Sequence, residues 1–415
     1  MSSIRPIKTD VLIIGGGLAG LSAAYHLNGS GLDVHLLEAS NRLGGRTWGH
    51  YWDQANRHID LGASWLTADF QHTIALAHRL GATTEPSPSP AQYFTHFSTG
   101  ISEQRFPKPA DVASLQSMSS SIQSSLASNE PEFANAHEAL TAPGTPTPCR
   151  DWHLAMQRYL AGADLTRVDP RHLLLKNEDL IDPDHYGIEI RGSMRELVNA
   201  LEEAIEAEVH RTTPVTAVTR RDGFYEALTS TTRTVHARSV VLAAPLNVLK
   251  HIDLDSQYIG AISPFIPAGH SGSSRKDWFV LTGVDQHIRV FASEGIFGYF
   301  RTSAQLDDGS MLAVGFAPAH EGLPTVSEFE TQIRRYCPSA TVEAHYSFDW
   351  RGHPWAAGTW ITPPPGYYEA LTALDNSPST FQLVGGDFSS DFPGTVEGAI
   401  MTGRQAALNL IHYHF

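Results

Sequence analysis

The chain predicts an α/β fold made of two intimately associated parts, and three stretches carry that prediction. Val11-Leu-Ile-Ile-Gly15 is a run of apolar residues ending in glycine, followed by Leu18–Leu27 with helical character. Gly31-Leu-Asp-Val-His-Leu-Leu-Glu38 is a second apolar run, closed by an acid. Near the C-terminus, Gln382-Leu-Val-Gly385-Gly386-Asp387 leads into Gly394-Thr-Val-Glu397-Gly398-Ala and a last helix, expected over Ala399–Ile411. Continuous apolar runs of this length are strands buried on both faces, the habit of parallel sheets with helical crossovers. At 415 residues the chain exceeds what one core comfortably holds.

The first stretch has a chemistry of its own. Gly15, Gly17 and Gly20 fit G-x-G-x-x-G. In that pattern the first glycine makes the tight turn, the second admits a pyrophosphate, and the third lets the helix close on the strand. The free N–H groups of Leu18 and Ala19 at the helix start favour an anion. Glu38, 18 positions after Gly20, stands where an acid accepts a ribose diol, and it would repel a 2′-phosphate. The prediction is a Rossmann-like dinucleotide-binding domain. Ala39 then leads into Arg42-Leu-Gly-Gly45-Arg46-Thr47, two arginine forks among glycines, a combination suited to phosphate oxygens.

Those motifs, with Asp60-Leu-Gly62-Ala63 after them, resemble the flavin-dependent amine oxidase family: monoamine oxidases, polyamine oxidases and L-amino-acid oxidases. The resemblance implies FAD, an FAD-binding Rossmann-like domain and an interleaved α+β substrate domain with a mixed sheet flanked by helices. It places the FAD domain at 1–66, 188–250 and 365–415, and the substrate domain at 67–187 and 251–364. Beyond the first motifs it implies cofactor contacts from Gly62, Ala63, Ser64, Trp65, Val215, Ala244, Trp355, Gly386, Asp387, Thr395 and Val396. Val215 would offer its backbone to the adenine and Asp387 would bind a ribityl hydroxyl.

Between the motifs the pattern is looser. Residues 67–187 alternate Ser/Pro-rich stretches with helices expected near 70–80, 111–128 and 150–162, and are read as a mostly helical insertion. A helix is expected to run from the Gly192-Ser-Met turn through Val209. Phe224–Leu228 with Thr234–Ala237 read as a hairpin, and Val240–Pro245 as a separate buried strand. Residues 251–364 read as a mixed sheet flooring a substrate cavity.

The resemblance also assigns chemistry. Relatives carry one lysine bridged through water to flavin N5, and Lys276 matches, placed before a strand, with Arg275 one register away. Relatives stand two aromatic rings against the flavin. Trp360 takes the first position and Thr395 the second, leaving half of the cage open or lined by a hydroxyl. Animal monoamine oxidases attach FAD through a cysteine just before the first ring; Thr359 stands there, so FAD is expected to be non-covalent. L-amino-acid oxidases place an arginine after the Gly-Ala motif. Ser64-Trp-Leu-Thr67 has none, although Arg289 or Arg301 could supply one from the sheet.

The expected function is oxidation of an amine, secondary, cyclic or bulky, by hydride transfer to flavin. Imine hydrolysis would follow, and O2 would be reduced to H2O2. An L-amino-acid oxidase, a dehydrogenase or desaturase with another electron acceptor, and a non-catalytic flavin-binding scaffold stay open. Net charge of −15 argues against nucleic acid and anionic membranes as partners. The two cysteines, Cys149 and Cys337, and the scattered histidines signal no metal centre, and the histidines read as mostly surface residues. With no secretory signal or membrane span in the pattern, the expected setting is the cytoplasm, and a homodimer is left open.

Overall fold

The strand Ile7–Ile14 is the axis of the first sheet, because Val11, Leu12, Ile13 and Ile14 are all buried. The computed structural model describes residues 5–128, 132–174, 187–374 and 379–415. Around this axis the strands run in the order Glu208–His210, Val34–Leu37, Ile7–Ile14, Thr234–Leu242, Phe224–Thr229, Val215–Arg221 and Asp253–Leu254. Phe381–Leu383 pairs in parallel with the C-terminal half of Thr234–Leu242. The centre is parallel, and the Phe224–Thr229 and Val215–Arg221 strands add an antiparallel flank.

The glycine turn follows from sterics. Gly15 has φ +106°, and a Cβ there would lie 2.8 Å from the Ala243 carbonyl oxygen. A Cβ on Gly20 would lie 2.0 Å from the Gly15 carbonyl oxygen, so the first helix, Leu18–Leu27, can close on its strand only with glycine there. The last helix, Val396–His414, crosses the first one as closely, and a Cβ on Gly403 would sit 2.1 Å from the Ala19 carbonyl oxygen. Gly403→Val is therefore expected to cost about 1–3 kcal/mol as an overpacked contact. It should also lower flavin content by pushing the first helix off its strand, read by thermal melting and by the visible absorbance of oxidised flavin.

A second sheet of seven strands runs Thr341–Asp349, Ser274–Thr282, Met311–Pro318, Tyr299–Gln305, Ile288–Ala292, Gln92–Phe97 and Gly100–Glu103. It is mixed: Ile288–Ala292 pairs in parallel with Gln92–Phe97, and the other neighbours are antiparallel. The helix Thr147–Leu160 packs Trp152, Met156 and Tyr159 against Trp278, Phe291 and Phe316 of this sheet.

Several expectations are corrected. The helix that begins at Arg195 ends at Ala204, and Glu208–His210 is a strand. Its acids favour a helix, but pairing Val209 with Leu36 lets it complete the sheet, and tertiary pairing wins over local propensity. Thr234–Leu242 is one continuous strand rather than a hairpin arm and a separate strand. Residues 67–187, where described, contribute strands as well as helices. Gln92–Phe97 and Gly100–Glu103 extend the second sheet, and Thr84–Pro86 pairs with Ile188–Ile190. The expected helices are present at Gln71–Arg79, Pro109–Leu126 and Thr147–Leu160. Residues 175–186 of that stretch lie outside the described residues.

Not every histidine is at the surface: His35, His96, His153 and His270 are buried. His35 and His210, on adjacent strands, lie near Glu208. Their ring planes agree within 6°, with centroids 5.2 Å apart, and Nδ1 of His35 is 2.9 Å from Nε2 of His210. That is an edge-to-edge hydrogen bond in one plane, which ties the edge strand to the sheet.

Candidate active site

One cavity of about 840 Å³ runs between the two sheets, toward the upper end of the range for small-molecule sites. On the side of the first sheet it is lined by Gly15, Gly17, Leu18, Ala19, Glu38, Ala39, Val215 and Ala244. Along its middle lie Arg42, Gly45, Arg46, Gly62, Ala63, Gly386 and Val396. Ser64, Trp65, Lys276, Trp355, Trp360 and Thr395 line the remainder. Motifs hundreds of residues apart in sequence thus meet on one surface. Two expected contacts do not line it. Gly20 lies under the first helix, where its lack of a side chain serves packing. Asp387 is the other.

Asp387 is wholly buried and turned away from the cavity. Its Oδ1 lies 2.8 Å from Nη1 of Arg46, and its Oδ2 accepts the Leu246 N–H at 3.0 Å. Tyr367 donates to its carbonyl at 3.0 Å. Burial alone would raise this carboxyl, but the Arg46 guanidinium and nearby His270 hold it below the ordinary aspartate value. Asp387 is therefore a joint between three chain segments, and the expected ribityl contact is not among the residues lining the cavity. Arg46 also donates to the Thr359 carbonyl at 2.6 Å. Arg42 stacks 4.2 Å over Trp48 and donates to the carbonyls of Leu43, Gly45 and Thr47. Both arginines face the cavity, but their forks are committed to protein acceptors.

The dinucleotide end fits an anionic ligand. Gly17 caps the first helix without a side-chain bond, so the first-turn N–H groups open on the cavity at Leu18 and Ala19. Glu38 is held in place by the N–H of Gly16 at 2.7 Å on Oε2 and of Ser40 at 2.8 Å on Oε1. The start of the last helix differs. Thr395 accepts the Gly398 N–H at 3.1 Å and donates to the Phe392 carbonyl at 2.9 Å. Its hydroxyl is thus spent on the helix cap and offers the cavity little more than a methyl group. Glu397 beside it caps a different helix, accepting the N–H groups of His72 at 2.9 Å and Thr73 at 2.8 Å at the start of Gln71–Arg79.

Lys276 lies inside the strand Ser274–Thr282, not before it. Alternation along the strand settles its register. Lys276 faces the cavity, while Arg275 points the other way, to Asp277 and the Gly322 carbonyl. Nζ of Lys276 donates to the carbonyls of Asp60 at 2.7 Å and Gly62 at 2.9 Å and meets the Ser64 hydroxyl. The rings of Trp65, Phe316 and Trp278 surround it at 5.0, 5.2 and 5.4 Å. Burial pushes this amine down to about 7, against the pull of Asp60.

Trp360 lines the cavity, its indole N–H donated to the Leu160 carbonyl. Sequence reasoning missed Tyr159 and Phe316, which also line the cavity and meet edge to face at 4.9 Å. Phe316 is the cross-strand partner of Lys276, so the signal was the pairing of two strands, which only the sheet register reveals. Arg289 and Arg301 do not line the cavity, and Arg171, which does, is paired with Asp169 and Glu369 at 2.6 Å each.

The model of the family described as flavin containing amine oxidoreductase matches residues 18–411 of this chain. The chain belongs to that family. Its members bind flavin and act on amines, so this chain is a flavin-containing enzyme of amine oxidation. The chain is 24% identical to (S)-6-hydroxynicotine oxidase of Paenarthrobacter nicotinovorans, with 97% of this chain and 99% of that protein covered. It is 23% identical to pseudooxynicotine dehydrogenase of a Pseudomonas species, covering 98% and 87%. In fold it is similar to cyclohexylamine oxidase from Brevibacterium oxydans, with a TM-score of 0.83 at 19% identity over 98% and 99% of the two chains. The FAD-binding amine oxidase fold expected from the motifs is the observed one, and the residues above fit its flavin.

Proposed function

We propose that this family member binds FAD non-covalently and oxidises a secondary, cyclic or bulky amine, with O2 as electron acceptor. The observation that carries the reading is Lys276, a buried amine ringed by Trp65, Trp278 and Phe316 and opening on the cavity that also holds the uncapped helix start and Trp360. When bound, FAD accepts the hydride equivalent from the carbon beside nitrogen. The chain's part is to desolvate and orient the amine and to take its proton. An amine enters as a cation, and aromatic faces attract it by about 0.5–2 kcal/mol. Lys276, neutral above about pH 7, can accept its proton. Thr395 puts a small side chain where relatives place a second ring, which supports a bulkier or cyclic substrate, as do the 6-hydroxynicotine and cyclohexylamine oxidases among the similar proteins.

Among the described residues lining the cavity, each arginine is committed to protein acceptors, which weighs against a substrate α-carboxylate. Peroxide release across a panel of cyclic secondary amines, primary amines and L-amino acids tests this. Cyclic amines should lead, and turnover of L-amino acids alone would overturn the reading. Neither cysteine lines the cavity and Thr359 does. Denaturation followed by filtration should therefore release the yellow colour, whereas colour retained on the protein would refute non-covalent binding. The pseudooxynicotine dehydrogenase relative supports a second reading, an acceptor other than O2. Slow reoxidation of the reduced flavin in air would favour it.

A further inference from the structure

Asp60 ends the strand Arg57–Asp60, and nothing in the proposed chemistry accounts for its side chain. Its Oδ2 accepts the Met194 N–H at 3.2 Å, while its Oδ1 is buried without a hydrogen bond of normal geometry, the Ser193 hydroxyl lying close enough to favour the ionised form. A buried carboxylate is costly unless a charge lies near. The nearby charge is Lys276, whose Nζ is fixed to Asp60's own carbonyl at 2.7 Å.

The contacts of Lys276 are themselves uncharged: two carbonyls and the Ser64 hydroxyl. All three accept from Nζ, so they satisfy the N–H groups of the amine but bring no negative charge. They suit an ammonium ion only if a counter-charge offsets its burial. Four further strands, and Trp278 on the same strand, face the group. Glu189 and Arg301 have opposite charges and lie 3.8 Å apart, so they largely offset each other. Trp65, Trp278 and Phe316 are rings. That leaves Asp60.

We propose that Asp60 is a positioning residue for this reaction: its buried carboxylate is the counter-charge that lets Lys276 take a proton from the substrate amine and hold it inside the aromatic wall. The proposal rests on the reading of Lys276 as the proton acceptor. The step balances simply. The substrate ammonium loses one proton and becomes a neutral amine, the Lys276 amine becomes an ammonium, and that new charge holds Asp60, which burial pushes up to about 7, in its ionised form. Without Asp60 the same transfer would leave an isolated buried cation. Burial pushes the Asp60 carboxyl up as it pushes the Lys276 amine down, and each opposes the shift of the other.

The test uses flavin-loaded enzyme labelled with ¹³C and ¹⁵N in lysine, with the Lys276 resonance assigned by its loss in Lys276→Arg. Asp60→Asn keeps the acceptor for Met194 but removes the charge. It should move the Lys276 titration midpoint down by about 1 pH unit or more. The low-pH limb of anaerobic flavin reduction, followed with the fastest amine of the panel, should move down with it. An unchanged midpoint overturns the proposal. A midpoint that moves while the limb stays removes Lys276 as proton acceptor, and this role for Asp60 with it, although the coupling of the two groups stands. Should Asp60→Asn fail to fold, the reciprocal measurement serves. In Lys276→Met the Asp60 carboxyl resonance should titrate at higher pH, and an unchanged value overturns the proposal.

Discussion

Lys276→Met should slow flavin reduction by the amine about 10²-fold or more, the lower range for loss of a positioned proton acceptor. Methionine replaces the lysine stem with an apolar chain one atom shorter, and the rings of Trp65, Trp278 and Phe316 around the site can accept it, so folding and flavin binding should survive. The pH profile carries the sharper prediction. Burial lowers the Lys276 amine to about 7, so the accepting form is scarce below that pH and dominant above it. The wild-type rate should rise through this region, and the limb should be missing from the variant. A variant that keeps both the rate and the limb would show that another group takes the proton.

Removing Arg46 should have the largest effect on stability. Asp387 is wholly buried, and its partner at 2.8 Å is partly exposed to the cavity. Arg46→Ala leaves the carboxylate buried without its cation, a change that typically costs about 3–5 kcal/mol. Arg46→Ala with Asp387→Asn should recover much of that, because no uncompensated charge then remains. Since Arg46 holds Asp387 below the ordinary 3.8, the pair's contribution is present above that value and is lost as pH falls below it. The wild type should accordingly gain more stability than the double variant as pH is raised from strongly acidic conditions. Denaturant melts across pH check both statements, and equal pH dependence of the two proteins would refute the second.

Legibility of the site in the sequence follows the range of the interactions. The glycine turn and Glu38 are readable because each requirement is local: a positive φ at Gly15, a close approach at Gly20, an acid at a strand end. Lys276 and Trp360 are located by resemblance, and their neighbours were harder to see. Phe316 stands beside Lys276 through an antiparallel register, and Tyr159 comes from a helix laid across that sheet. Asp387 carries the right residue type but faces Arg46, a direction set by how three segments meet. Glu208–His210 continues an acid-rich stretch that suits a helix, yet the edge of the sheet claims it. In each case long-range pairing outweighs the local pattern.

The central claim is that this cavity holds a flavin that an amine reduces. Its most direct test is to add a cyclic secondary amine to the yellow protein without oxygen and follow the flavin absorbance. A single equivalent should bleach the flavin, and the colour should return with peroxide release when air is admitted. Flavin that stays oxidised with every amine in the panel would contradict it.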